Sequence, residues 1–276
     1  MLAGAERSLL EDRVSLASTR PWPRKRSLRA TAALELMSPA SQEWSVPKDV
    51  RLFSTLALKG VIERLAAPYQ AMAGTRIDAD FAPTLGLLAR LRGGEMADLV
   101  ILTREGLDEL AAEGRLAADS ARDLARSFVG IAVKAGAAHP DIASEPALRA
   151  ALLAARRVVY SRIGASGILF AQLIERMGIA AEINATALIV PSGLTAERLV
   201  TGEADLAVQQ ISELKQVAGV DIVGPIPRAL QTPALFSAGR ITGSSAMAAD
   251  HLLRYLASAD MAPLLRDAGL EPCCGD

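Results

Sequence analysis

The sequence has very few of the residues that build disulfide frameworks, metal centres or histidine-based active sites. Its 276 residues include two cysteines, Cys273 and Cys274, and two histidines, His139 and His251. Two adjacent cysteines cannot supply a disulfide framework or a four-thiolate metal site. Two isolated histidines also leave few ways to build a Ser-His-Asp triad. We therefore expect no metal and no other cofactor, and we expect no catalytic residue.

Positive and negative residues are balanced in the sequence, and long apolar runs are missing. Lys and Arg number 30 and Asp and Glu number 31, which gives a formal net charge of −1. A chain without an overall positive field is poorly suited to bind nucleic acid or an anionic membrane. No apolar run reaches the roughly 18 residues of a membrane-spanning helix. Because hydrophobic residues make up 51% of the chain, we expect a soluble globular protein with a substantial core.

Residues 1–49 differ from the rest of the chain. Basic residues cluster between Arg20 and Arg29, and the apolar stretch that follows is short and interrupted by Glu35. A secretory signal has a continuous apolar region of roughly 7–15 residues. We therefore expect residues 1–49 to form a disordered arm outside the fold. A weak export signal and a start site upstream of the true one are the alternatives.

From residue 50 onward, short β-branched or apolar runs alternate with amphipathic stretches, a pattern typical of βαβ units. The predicted class is α/β. The predicted strands are Val50–Thr55, Arg76–Phe81, Ala97–Thr103, Phe128–Lys134, Arg157–Ser161, Thr186–Val190, Ala204–Gln209, Asp221–Pro225 and Leu235–Ile241. The predicted helices are one that ends at Gly74, then Leu85–Arg92, Glu105–Glu113, Glu145–Ala155, Ser166–Met177, Thr195–Thr201, Ser245–Ala257 and Met261–Ala268.

Two segments are candidates for connections between lobes: Ser127–Gly136 and Gly224–Ser237. If both cross, the second lobe is a continuous insertion in the first. The expected organisation is then lobe I over residues 50–130 and 234–276, with lobe II over residues 131–233.

Five loops follow the carboxyl ends of predicted strands, where open α/β sheets bind their ligands. They are Ser54–Ala57, Pro83–Thr84, Ser161–Gly167, Pro191–Gly193 and Gln209–Glu213. The third loop is the best candidate for an anion, because Gly164 and Gly167 allow the backbone to approach a ligand and a helix begins there. Any one of these loops is also consistent with simple helix capping. Five loops at corresponding strand ends favour a shared cleft for a small oxyanion or carboxylate.

Seven motifs share their order and spacing with a known family. They are Phe53–Gly60, Gly93–Val100, Val129–Gly136, Ser166–Gly167, Gly202–Leu206, Gln210–Leu214 and Val223–Pro227. Together they resemble the periplasmic molybdate-binding-protein-like family of solute-binding proteins, which are type 2 periplasmic binding proteins, over about residues 50–272. The resemblance implies two α/β lobes joined by two crossing strands, which close about a hinge on a ligand. It also implies a small anionic ligand, delivery to the permease of an ABC importer, and a periplasmic location.

The resemblance also suggests where the ligand binds. The expected ligand-binding residues are Thr55, Ala57, Thr84, Ser166, Gly167, Ser192, Gln210 and Ser212. Ala57 stands where the molybdate binders have a serine, so Thr55 is expected to replace the lost hydroxyl. Gln210 stands where they have a tyrosine. A small organic carboxylate, such as a tricarboxylate, is therefore an alternative ligand to molybdate.

The leading hypothesis is a monomeric, non-catalytic solute-binding protein for a small anion. An enzyme on the same scaffold is the alternative: an isomerase of an unsaturated carboxylic acid such as aconitate, with Glu213 or Lys59 as the general base. This activity resembles that of a relative of the family. A cytoplasmic ligand-sensing module is a third possibility, since the export signal is poor. Such a module normally carries a DNA-binding domain, for which the basic cluster at Arg20–Arg29 is too small.

Overall fold

The computed structural model describes residues 49–244 and 246–273. The expected N-terminal arm therefore lies outside the described residues, except for Asp49, and so does Cys274. Within the described part of the chain, no helix is both long enough and apolar enough to span a membrane.

Two sheets and their covering helices make up the described residues. The strands are β1 (Asp49–Ser54), β2 (Arg76–Phe81), β3 (Leu99–Thr103), β4 (Arg122–Ser127), β5 (Val129–Lys134), β6 (Val158–Ser161), β7 (Leu188–Val190), β8 (Leu206–Gln210), β9 (Val220–Pro225), β10 (Ala234–Arg240) and β11 (Glu271–Pro272). The helices are α1 (Lys59–Ala73), α2 (Thr84–Arg92), α3 (Arg104–Ala112), α4 (Glu145–Ala154), α5 (Ala165–Arg176), α6 (Ala180–Thr186), α7 (Glu197–Val200), α8 (Ile211–Leu214), α9 (Ala246–Leu256) and α10 (Ala262–Asp267).

The first sheet has the strand order β11-β4-β10-β3-β1-β2 and forms lobe I (residues 49–127 and 234–273). β1 runs parallel to β2 and β3, whereas β10 is antiparallel to β3 and β4. Alternate residues of β1 enter opposite cores, with Leu52 on one face and Phe53 on the other. Helix α1 buries Val61 and Leu65 against the Leu52 face and ends at Gly74, whose left-handed φ of 68° suits glycine.

The second sheet has the order β7-β6-β8-β5-β9 and forms lobe II (residues 129–225). β6 runs parallel to β7 and β8, and β5 is antiparallel to β8 and β9. This sheet also separates two apolar cores. Helix α5 buries Phe170 and Leu173 in the larger of them, where the ring of Phe170 meets Tyr160 edge to face, with the centroids 4.9 Å apart.

The chain passes between the sheets twice. β4 of the first sheet ends at Ser127 and β5 of the second sheet begins at Val129, so the first passage occurs at Phe128. The second passage lies between β9 and β10. The α/β class and the two-lobed fold are thus confirmed. Val129 and Gly130, which the sequence prediction assigned to lobe I, already pair with β8 and β9 of the second sheet.

Four elements were missed from the sequence. β4 has the sequence RDLARS, in which the polar residues on either side obscure the two apolar residues, Leu124 and Ala125. β11 has two residues, and α8 is a single turn that the sequence prediction treated as a loop. Helix α6 was also missed: Thr186, predicted to start a strand, ends that helix instead. These are short elements, and packing stabilises them more than a periodic local pattern does.

Close packing at the start of α5 generates a first prediction. A Cβ atom added at Gly167 would lie 1.2 Å from the carbonyl oxygen of Ser161, whereas one at Gly164 has its nearest neighbour at 3.9 Å. We expect Gly167→Ala to lower the free energy of unfolding by more than about 3 kcal/mol. Gly164→Ala, in the same loop, is the control and should cost at most about 1 kcal/mol. Denaturant unfolding measures both, and equal effects would contradict the packing at Gly167.

Candidate functional site

A small cavity of about 30 Å³ lies between the two lobes, at the carboxyl ends of the strands. All five loops singled out from the sequence contribute to its wall. Lobe I supplies Thr55, Leu56, Pro83, Thr84, Thr103 and Phe236, and lobe II supplies Ser161, Gly164, Ala165, Ser166, Ser192, Gly193, Gln209, Gln210 and Glu213. Neither lysine nor arginine is among these described lining residues.

The lobe I wall has one hydroxyl that forms no hydrogen bond with any described residue. Thr84 Oγ1 accepts a hydrogen bond from the backbone N–H of Thr103 at 3.1 Å, and Thr103 Oγ1 accepts one from Gly106. Thr55 is different: its side chain is buried, and no described residue is a hydrogen-bond partner of its Oγ1. Thr55 also fails to cap the helical turn that follows it. A buried unpaired hydroxyl is costly, so a ligand that pairs with it would remove that cost.

The lobe II wall includes the uncapped start of α5. Gly164 stands at the N-cap, and a glycine has no side chain with which to cap the helix. The first backbone N–H groups of a helix have no partner within that helix, and they carry partial positive charge. Ala165 and Ser166 bring these groups to the cavity. The opposite wall holds the unpaired Thr55 hydroxyl, so both walls offer hydrogen-bond donors to an anion.

Gln209 holds the loop after β7 in place. Its Oε1 accepts hydrogen bonds from the Thr195 backbone N–H at 2.7 Å and from Thr195 Oγ1 at 2.9 Å. Its Nε2 donates to the carbonyl oxygen of Gly193 at 3.0 Å. This fixes the position of Gly193 and of its neighbour Ser192. Next along the chain, Gln210 is buried and its Oε1 has no partner among the described residues.

Glu213 is the one carboxyl group in the cavity wall as the structure describes it. It stands at the third position of α8, and its carboxyl accepts hydrogen bonds from the Gln210 backbone N–H and from the Gln209 amide. Burial raises the pKa of Glu213 to about 8, and the hydrogen bonds oppose this rise only in part. The carboxyl is therefore mostly protonated at pH 7. A neutral carboxyl does not repel an anion, and it can donate a hydrogen bond to one.

A larger, open groove of about 800 Å³ continues outward from the cavity, with which it shares Thr84, Thr103, Ala165 and Gln210. Exposed apolar side chains stand on both of its sides, Leu85 on lobe I and Ile163 and Ile168 on lobe II. The groove gives a ligand room beyond the small cavity.

Five of the eight expected ligand-binding residues line the cavity: Thr55, Thr84, Ser166, Ser192 and Gln210. The other three do not. Ala57 packs in the core of lobe I, because the helical turn after Thr55 directs it inward. Gly167 packs against the backbone of Ser161, and Ser212 is buried with its Oγ unpartnered among the described residues. That the five lining residues bind a ligand stays a prediction.

Some lining residues were missed from the sequence. Thr103 ends a predicted strand as Thr55 does, so the same reasoning would have found it. Phe236 lies within antiparallel β10 and has no local signal. Of the two candidate bases, Glu213 lies in the cavity wall, whereas the Nζ of Lys59 pairs with Glu63 and is not part of that wall.

Comparison with known protein families assigns the chain to one of them. The family model described as bacterial extracellular solute-binding protein matches residues 50–271. The chain belongs to this family. One relative of this solute-binding protein is an aconitate isomerase from Pseudomonas sp., 36% identical over 258 residues, which cover 91% of this chain and 98% of the relative.

Solved structures show the same fold at lower identity. The periplasmic molybdate-binding protein of Azotobacter vinelandii has a TM-score of 0.69 at 16% identity, over 80% of this chain and 98% of its own. The sulfate-binding protein SubI from Mycobacterium tuberculosis H37Rv has a TM-score of 0.61 at 18% identity, over 82% and 87%. At such identities the likeness establishes the fold of this solute-binding protein.

The raised pKa of Glu213 predicts an unusual pH dependence of stability. In the unfolded chain the pKa of this carboxyl is near 4.5. Between pH 4.5 and about 8 the folded protein therefore holds a proton on Glu213 that the unfolded chain has released. The contribution of Glu213 to stability is therefore full below pH 4.5 and is lost as the pH rises through about 8. Gln is neutral throughout, so Glu213→Gln should raise the melting temperature by about 4 °C or more at pH 8 and much less at pH 5. Parallel melting curves of the two proteins at all pH values would contradict this.

Proposed function

We propose that the protein binds a small organic carboxylate in the cavity between its lobes. The observation that carries the proposal is the meeting of the unpaired Thr55 hydroxyl and the uncapped start of α5 across one cavity. Both supply donors to an anion, and the Glu213 carboxyl beside them is mostly neutral at pH 7. The open groove favours a carboxylate with a carbon skeleton over a compact tetrahedral oxyanion.

The family supports a role in uptake. Solute-binding proteins of this kind deliver ligand to the permease of an ABC importer, and we propose the same partner and a periplasmic location for this protein. We further propose that it acts as a monomer, because the cavity is complete within one chain: both walls come from its own two lobes.

A ligand panel tests the binding proposal. Thermal unfolding of the full chain is measured with molybdate, tungstate, sulfate, phosphate, citrate, cis-aconitate or trans-aconitate. A ligand at 100 times its Kd stabilises by about 2.7 kcal/mol, which is several degrees in melting temperature. We expect a carboxylate to produce this shift. Stabilisation by molybdate, tungstate, sulfate or phosphate alone would overturn the carboxylate in favour of an inorganic oxyanion, and no shift with any anion would overturn the proposal.

A matched pair of variants at Thr55 tests whether the ligand binds beside this hydroxyl. Thr55→Val removes the unpaired hydroxyl and should weaken binding of the best ligand about tenfold, measured by calorimetric titration. The free energy of unfolding without ligand should not fall, because the hydroxyl forms no hydrogen bond with the part of the chain that the structure describes. Thr55→Ser keeps the hydroxyl and should keep the affinity. Equal affinities for both variants would place the ligand elsewhere.

Isomerisation of a small unsaturated carboxylic acid is a second candidate function, favoured by the carboxyl of Glu213 in the cavity wall and by the aconitate isomerase among the relatives. A 1,3-proton shift requires one group that takes a proton from a methylene carbon and returns it to the carbon at the far end of the double bond. The C=C bond moves between these carbons, and no electrons are lost or gained. A carboxyl with a pKa of about 8 is suited to both steps.

Incubation with cis-aconitate, followed by chromatography for trans-aconitate, tests this activity. The proton-accepting form of Glu213 is the carboxylate, so kcat/KM should rise with pH through about 8. Glu213→Gln should abolish turnover and retain binding, whereas Glu175→Gln, at an exposed position of α5, is the control and should keep full activity. If the wild-type protein binds aconitate without converting it, the isomerase is excluded and the binding proposal stands.

A further inference from the structure

Helix α8, which follows Gln210 and carries Glu213, belongs to lobe II by its place in the chain, yet its outer side packs on lobe I. The end of α10 approaches it closely: a Cβ atom at Gly269 would lie 2.9 Å from Ile211 Cγ2 and 3.0 Å from Lys215 Cδ. Lys215 Nζ also donates to the carbonyl oxygen of Asp267 at 2.6 Å. Lobe I therefore packs against α8 and the residue that follows it.

Lobe II and the first passage between the sheets contact the same helix. The backbone N–H of Ile211 donates to the carbonyl oxygen of Phe128 at 2.9 Å, in the first passage between the sheets. A Cβ atom at Gly130 would lie 2.7 Å from Ile211 Cγ1. Glycines of both lobes thus approach Ile211 closely, and α8 is hydrogen-bonded to the first passage between the sheets.

One side chain connects α8 directly to the lobe I wall of the cavity. Gln216 Nε2 donates to the carbonyl oxygen of Leu56 at 3.0 Å and to that of Ser212 at 2.9 Å. Leu56 is next to Thr55, and Ser212 is next to Glu213. One amide therefore joins the neighbours of Thr55 and Glu213, which line the cavity from opposite lobes.

The local packing makes room for this amide. Gly60, at the start of α1, lies where a Cβ atom would be 3.2 Å from Gln216 Cγ. The Oε1 of Gln216 is buried without a partner among the described residues, which costs stability. An apolar side chain of the same length would avoid this cost but would not join Leu56 to Ser212.

We propose that Gln216 is a positioning residue: it sets the distance across the lobe boundary between the Thr55 hydroxyl and the Glu213 carboxyl of α8. The inference rests on the proposed carboxylate binding at this cavity. Gln216 itself is not part of the cavity wall, so it acts through its two main-chain partners.

The test compares Gln216→Met with the wild type in two measurements on the full chain. The affinity for the best carboxylate of the panel should fall about tenfold, since small displacements of site groups are costly. Without ligand, hydrogen exchange should become faster in the peptides that cover residues 56–60 and 211–216, one from each lobe. Gln216→Glu keeps the side-chain length, but a carboxylate cannot donate the hydrogen bonds to Leu56 and Ser212. It should therefore behave like Gln216→Met, and it provides a second variant if Gln216→Met fails to fold.

Ser120→Ala is the control for a general loss of stability, because Ser120 Oγ accepts from the Arg240 backbone N–H at 3.1 Å within lobe I, away from the cavity. It should lower the melting temperature and leave the affinity and both peptides unchanged. Unchanged exchange at residues 56–60 in the Gln216 variants, or unchanged affinity, would overturn the proposal. If no anion binds the wild type, the proposed function fails, and the exchange data alone then support or overturn the connection between the lobes.

Discussion

The chain passes between its sheets at Phe128 and again after β9, and the side chain of Gln231 bonds these two passages together. Its Oε1 accepts from the Val129 backbone N–H at 2.8 Å, and its Nε2 donates to the carbonyl oxygens of Val129 and Ile226. Because both connections lie side by side, the carboxyl ends of the parallel strands in the two sheets face each other. Every group of the cavity owes its position to this arrangement, since no single lobe holds more than one wall.

The cavity proposed to bind an anion has neither lysine nor arginine among its described lining residues. Hydrogen-bond donors and the N-terminus of α5 would supply the attraction, and they would lose little on binding because they are already oriented. Glu213 would oppose an anion if it were charged. Its burial raises its pKa to about 8, so the same desolvation that makes a charged carboxyl unfavourable also removes the repulsion at neutral pH.

Binding and isomerisation would use the same cavity, and isomerisation would require one further group, a proton carrier. A receptor requires donors around a carboxylate and a groove for the rest of the ligand. An isomerase requires in addition a proton carrier whose pKa is near the working pH, within the same wall. The family of solute-binding proteins and the relative named aconitate isomerase share this scaffold, so the chemistry of the loops, and not the fold, decides between the two functions.

Local patterns in the sequence determined the α/β class, most of the strands and the five loops at their carboxyl ends, because hydrophobic periodicity and glycine stops depend on near neighbours. They also singled out Thr55 and Gln210, both of which line the cavity. The tertiary structure alone decided that Ala57 and Ser212 lie away from the cavity, that Glu213 is buried enough to hold its proton, and that Gln216 joins Leu56 to Ser212. Leu56 and Gln216 lie 160 positions apart, and burial and hydrogen bonding at such separations depend on how the two lobes pack.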